Sequence, residues 1–198
     1  MATQSTRPVL LYPDPRLKAM AAPVQADDVE RVAGELLATM RSYERCVGIA
    51  APQIGELVRL AVVDVTGHPK AGTSNGLLVL ANPRVVDSEG SEVAREGCLS
   101  LPDVTANVRR ATRVVVEHLG GTVECHGFEA RAVLHELDHL NGILFLDRVE
   151  SLVDDLFRRR SYAGSEGAAS DSSPASASAP APRGPDGSSN ASPGGRIG

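Results

Sequence analysis

The chain has 198 residues and a formal net charge of −5; 42% of its residues are hydrophobic and only 3% aromatic, with no Trp. The acidic balance and the lack of aromatic stacking platforms exclude a general DNA or RNA binder. No apolar run approaches the ~20 residues that a membrane span needs. Three cysteines are too few, and odd in number, for a disulfide scaffold.

Met1 to Arg16 lacks the basic-then-apolar pattern of a signal peptide, so the sequence reads as cytoplasmic. Pro8 to Leu17 carries three prolines and reads as an extended lead-in ending in a turn. Val29, Val32, Ala33, Leu36, Leu37 and Met40 then recur at helical spacing, which predicts a helix over 27–43 with Asp27 or Asp28 as its cap. Cys46 to Gly55 reads as a Gly/Ala-rich loop. Strands are expected over 58–65 and 77–81. Arg84–Val86 and Glu92–Ala94 flank a turn and suggest a hairpin, as do Arg113–Glu117 and Thr122–Cys125 around Gly120-Gly121. A second helix is expected over 128–141, closed by Gly142, and a short terminal helix over 146–160. Of the 36 residues in 163–198, 29 are Ala, Ser, Pro or Gly, which leaves almost nothing to bury, so a disordered tail is expected there. The folding unit is then residues 6–162. Its fold class is α+β: antiparallel strands around a buried C-terminal helix, with another helix near the N-terminus.

The second helix contains His135-Glu136-Leu137-Asp138-His139. Residues four apart share a helix face, so both imidazoles can reach one metal ion. Glu136 lies between them, placed to take a proton from water at that metal. The flanking Ala130, Ala132, Val133, Leu134, Leu137 and Leu140 leave little room for a wet face, so these polar groups need partners inside the protein. His139 is the last His or Cys in the chain. A third ligand therefore comes from a downstream carboxylate (Glu150, Asp154 or Asp155) or from upstream, where Cys98 lies between Gly97 and Pro102 near a turn. Gln53, in the loop after the first helix, offers amide donors for a developing oxyanion.

Cys46 to Gln53, Glu96 to Ser100 and His135 to His139, in that order, resemble the three motifs of the peptide deformylase family. The lead-in Tyr12-Pro-Asp-Pro-Arg-Leu17 and Gly142 to Arg148 resemble it too, so the likeness spans 8–149. The resemblance implies removal of the formyl group from formyl-methionine on nascent polypeptides. It implies Cys98, His135 and His139 as ligands of Fe2+, with Zn2+, Ni2+ or Co2+ as substitutes, and Glu136 as general acid/base. It further implies Gln53 and the Leu99 N–H as the oxyanion site, and Val47, Gly48 and Gly97 as holders of the substrate backbone. Asp138 is expected to support the ligand array from behind.

Three departures stand out. Cys46 replaces the first Gly of its motif, and is strained if that position needs φ > 0. Leu134 stands where many members have Gln, and Asp103 where many have Gly. Arg158-Arg159-Arg160 offers a weak footprint for ribosomal RNA, where the substrate emerges; favourable charge at a helix C-terminus is the preferred reading. Two rivals remain in view. A protease acting on internal bonds is disfavoured by the Cys-first ligand order. A structural zinc site would need Cys46, Cys125 or His126 as fourth ligand and would leave Glu136 without a purpose.

Overall fold

The computed structural model describes residues 5–159. The expected tail at 163–198 lies outside the described residues, as does Arg160.

Helix α1 spans Ala26–Arg41 and α2 spans Gly127–Leu140. Among the described residues, nine strands form three antiparallel three-stranded sheets. β1 (Gly48–Ala50), β2 (Leu60–Val63) and β3 (Leu78–Ala81) make the first, in that order. β4 (Arg84–Glu89), β7 (Arg113–His118) and β8 (Gly121–His126) make the second. β5 (Glu92–Cys98), β6 (Leu101–Arg110) and β9 (Leu156–Arg158) make the third. No helix among the described residues is long and apolar enough to cross a membrane.

All four residues of β2 are buried. Alternation along the strand sends Leu60 and Val62 toward α1, where Val32, Leu36 and Met40 meet them, and Val63 toward α2. The central strand is thus sandwiched between the two helices. The stripe at Val32, Leu36 and Met40 is the helical periodicity of the sequence, with Val29, Ala33 and Leu37 partly buried at its edges. α2 sinks in almost completely: Ala130, Ala132, Val133 and Leu137 pack on Val114, Val116 and Cys125. Burying each such aliphatic side chain is worth about 1.5–3 kcal/mol. Gly142 follows α2 at φ 68, and a Cβ there would lie 2.5 Å from the Lys18 carbonyl oxygen. Only a glycine lets the chain turn left-handed that close to another backbone.

The second hairpin forms as expected, pairing Arg113↔His126 through His118↔Gly121. The first does not. β4 pairs with β7, and β5 with β6. The chain reverses at Gly90, φ 72, where Thr112 N–H donates to the Glu89 carbonyl at 3.0 Å, and the two strands enter different sheets. Nor does a terminal helix form among the described residues of 146–160. Phe145–Arg148 is one 3₁₀ turn, and Leu156–Arg158 is strand β9, paired with Val104–Ala106 of β6. The arginines at 158 and 159 therefore do not sit at a helix C-terminus. The N-cap of α1 is Gln25 rather than an aspartate; Asp27 and Asp28 occupy its first turn, where they complement the helix dipole. The stretch read as a loop after α1 contains β1 and a 3₁₀ turn over Ala51–Ile54.

Candidate active site

Two elements carry the metal-binding residue types. β5 carries Glu96 and Cys98, two residues apart and both buried on the same face. A register break between Gly97 and Cys98 lets the chain turn back at Leu99-Ser100, so Cys98 stands at the strand's end. α2 carries His135, Glu136 and His139. The two rings lie edge to face with centroids 5.0 Å apart, one helical turn from each other.

These elements bring ligand atoms of Cys98, His135 and His139 within 4.8 Å of one another. Cys98 Sγ lies 3.2 Å from His139 Nε2. His135 Nδ1 lies 3.0 Å from Glu96 Oε2, leaving Nε2 free for a metal. The electrostatics suit a cation. Burial pushes the Cys98 thiol up, yet the two imidazoles beside it hold it well below the ordinary thiol range. Burial likewise opposes a proton on His135, but Cys98 and Glu96 hold that ring well above the usual histidine range. A cysteine sulfur held toward its thiolate form beside two imidazoles suits a divalent ion, which binds the deprotonated ligand atoms. His139 Nδ1 and Glu136 Oε2 are buried with no hydrogen-bond partner. A thiolate and two imidazoles fit a first-row divalent metal and leave a coordination position open.

Glu136 is buried, and burial pushes its carboxyl up to about 7 against the pull of His135 and His139. Gly48 of β1 lies over it: a Cβ there would be 2.6 Å from Glu136 Oε1. Gln53 is held in the 3₁₀ turn. Its Oε1 accepts from Ala50 N–H at 2.9 Å, which aims Nε2 at Cys98 Sγ (3.4 Å) and Ser100 Oγ (3.3 Å). The lead-in straps these pieces together, with Leu10 N–H donating to the Gln53 carbonyl at 2.7 Å and Tyr12 N–H to that of Ser100 at 2.9 Å. Leu99 follows Cys98 in the turn and packs against the α1 core. Val47 precedes β1, and its carbonyl accepts from Asp64 N–H at 2.8 Å. Gly97 is exposed on the outer side of β5.

Behind Cys98, His135 and His139 lies a buried ionic network. Glu96 accepts from Arg110 through both oxygens, at 2.9 and 3.0 Å, and from Arg131 at 2.8 Å. Arg110 also donates to Asp138, which Arg148 grips at 2.7 and 2.5 Å. Burial alone would raise the Glu96 carboxyl; His135 and Arg110 hold it down at about 2. Asp138 is therefore buried and paired rather than solvated. The sequence reading missed the three arginines. A signal was present: Arg131 sits inside a helix read as buried all round, and a buried guanidinium needs a carboxylate.

The other carboxylates considered as ligands are engaged elsewhere. Glu150 accepts from Arg109, Asp154 from Ser151 and Asp155 from Asn107. Cys125 is bound by Asn75 on the far side of α2, and His126 pairs with Glu124. Cys46 does not take a positive φ; that conformation falls on Arg45, at φ 60. The Cys46 thiol donates to the Gly48 carbonyl at 3.2 Å, and burial pushes it up to about 12. Leu134 packs partly buried beside Ala130 and Leu137.

The family profile described as polypeptide deformylase matches residues 6–155. The chain belongs to that family. It is 39% identical over 156 residues to a peptide deformylase of Thermodesulfovibrio yellowstonii, covering 75% of this chain and 92% of that one. It is 41% identical over 162 residues to that of Rhizobium meliloti, covering 78% and 91%. Its fold is similar to a class I type b peptide deformylase of Acinetobacter baumannii solved with Met-Ala-Ser bound, with TM-score 0.67 and 36% identity over 74% of this chain and all of that one. Family membership makes the chain a metal-dependent hydrolase acting on the formyl group of N-terminal formyl-methionine.

Proposed function

We propose that Cys98, His135 and His139 hold the metal of this deformylase and that Glu136 is its acid/base. The observation that carries this assignment is the convergence of one cysteine sulfur and two imidazoles from β5 and α2 beside a buried, otherwise unpartnered carboxylate oxygen. When bound, the divalent ion supplies Lewis-acid polarisation and acidifies water at the site. Fe2+ is the ion we assign, with Zn2+, Ni2+ or Co2+ as substitutes.

The chain's own residues do the rest. Val47, Gly48 and Gly97 hold the peptide backbone. Glu136 takes a proton from water as the water oxygen bonds to the formyl carbon. Gln53 Nε2 and the Leu99 N–H donate to the formyl oxygen as negative charge builds on it. Glu136 then gives the proton to the departing nitrogen, the C–N bond breaks, and formate and a free amine remain. Glu96 fixes the His135 ring directly, and Asp138 supports Glu96 through Arg110. A nascent polypeptide in the cytoplasm, met briefly as it leaves the ribosome, is the setting we assign to this reaction.

Metal-loaded protein is incubated with formyl-Met-Ala-Ser, acetyl-Met-Ala-Ser and a longer unmodified peptide. Formate from the first alone is expected. Internal fragments from the third would point to the protease instead, and inertness toward all three with tightly held zinc to a structural site.

A further inference from the structure

Among the described residues, β5 pairs only with β6, so its other edge is free. A free strand edge offers N–H and C=O groups on which an extended peptide can pair. That edge ends at Gly97 and Cys98, so a peptide laid along it ends at the proposed metal centre. Cys98 and Glu96 face inward, and Gly97 between them faces outward.

The outward face beside Gly97 is occupied by a charge. A Cβ built on Gly97 would fall on the guanidinium of Arg159, with its Cζ at 3.2 Å and Thr105 Cγ2 at 3.3 Å. Strand β9 places it there. β9 pairs with β6 through Val104↔Arg158 and Ala106↔Leu156, and the Arg159 N–H donates to the Asp103 carbonyl at 2.7 Å. The side chain then reaches across β6 to β5. On the same face Arg95 is engaged, donating to Asn107 and Thr105 with its guanidinium 3.3 Å from the centroid of the Phe157 ring. Arg159 makes no ion pair among the described residues, and it is exposed.

We propose that Arg159 is a specificity-determining residue that favours peptides with an acidic side chain at the second position. The inference rests on the reading above, in which the formylated peptide lies against Gly97. Successive side chains of an added strand alternate between faces. With the first residue turned to the inward face that holds Cys98, the second turns outward, to the guanidinium.

The test compares kcat/KM for formyl-Met-Asp-Ser, formyl-Met-Ala-Ser and formyl-Met-Lys-Ser on the metal-loaded full chain. An Asp-over-Lys ratio of about three- to fivefold is expected, the size of an exposed ion pair. It is carried by KM and shrinks as salt is raised. Arg159→Ala brings the ratio to unity and Arg159→Glu inverts it. Arg158→Ala, altered on the opposite face of β9, keeps it. Equal rates for the three peptides in the unaltered chain overturn the proposal. So does a ratio unchanged in Arg159→Ala and Arg159→Glu, or one lost equally in Arg158→Ala. In those cases formate is still released, and only the role of Arg159 falls. No formate from any peptide removes the reading on which it rests.

Discussion

Glu96 orients His135: its Oε2 lies 3.0 Å from the ring's Nδ1, while Arg110 grips both of its oxygens. The contact leaves Nε2 as the ring nitrogen that would face the metal proposed for this site, and it ties α2 to β5 through one buried carboxylate. Two buried guanidinium groups, Arg110 and Arg131, depend on that charge.

Glu96→Gln keeps the shape and removes the charge. Leaving buried charges unpaired costs about 3–5 kcal/mol. Loss of a contact that orients a ligand weakens metal binding by about 10- to 100-fold. Urea unfolding of the metal-free chain and a chelator competition measure the two separately, and both are expected to fall.

Gly48→Ala tests how closely β1 covers Glu136, the proposed acid/base. The new methyl would lie 2.6 Å from Glu136 Oε1 and 3.0 Å from its Cγ. Glu136 is buried and must shift; a displacement of about 1 Å can cost about 10²-fold in rate. Overpacking costs about 1–3 kcal/mol of stability. Turnover is expected to collapse while metal content, read by elemental analysis, stays at one ion per chain.

The hydrogen bond of Gln53 to Ala50 N–H and the oxyanion role proposed for its Nε2 separate by substitution. Gln53→Ala leaves the buried Ala50 N–H without an acceptor, at about 1–3 kcal/mol. Gln53→Glu keeps an oxygen for that N–H but removes the donor aimed at Cys98 and Ser100. Both should lose about 10²- to 10³-fold in kcat, as for removal of an oxyanion donor. The alanine variant alone should also lose the stability tied to the Ala50 N–H.

Asp147 links pH to the strap of the lead-in over the end of α2. Burial raises its carboxyl, but the Lys18 ammonium at 2.5 Å and the Leu144 N–H outweigh it and hold it below the ordinary aspartate value. A depressed folded value means that the stabilisation is complete above the unfolded pKa of about 3.9 and fades as pH falls through the folded value. Both side chains are more than a third exposed, so its size is below about 1 kcal/mol. In denaturant titrations Lys18→Met should be less stable than the parent at pH 7, and the gap should close below pH 4.

The two helices were legible because their signals are local. Val32, Leu36 and Met40 repeat at helical spacing, and His135 and His139 share a face by the same arithmetic. The β7–β8 hairpin was legible from Gly120-Gly121. What escaped the sequence is set by partners far along the chain. β1 has three residues, two of them Gly and Ala, and forms only because β2 pairs with it. β6 contains Pro102, Asp103 and Asn107, poor strand formers, yet it is paired on both sides. Leu152, Val153, Leu156 and Phe157 carry helical spacing, but pairing with β6 makes the end of that segment a strand. Gly90 marks a turn correctly and says nothing of which strands pair. The arginines behind Glu96 and Asp138 come from β6, α2 and the 3₁₀ turn after α2, so only the fold brings them together.

The most direct test of the account sets the unaltered chain beside Glu136→Gln, both loaded anaerobically with Fe2+ and assayed on formyl-Met-Ala-Ser with metal content measured in the same samples. One ion in each protein is expected, with formate and free amine from the unaltered chain and a rate lower by about 10²- to 10⁴-fold in the variant, the range for loss of a general acid/base. Loss of the metal from Glu136→Gln, or formate released at the parent rate, would contradict it.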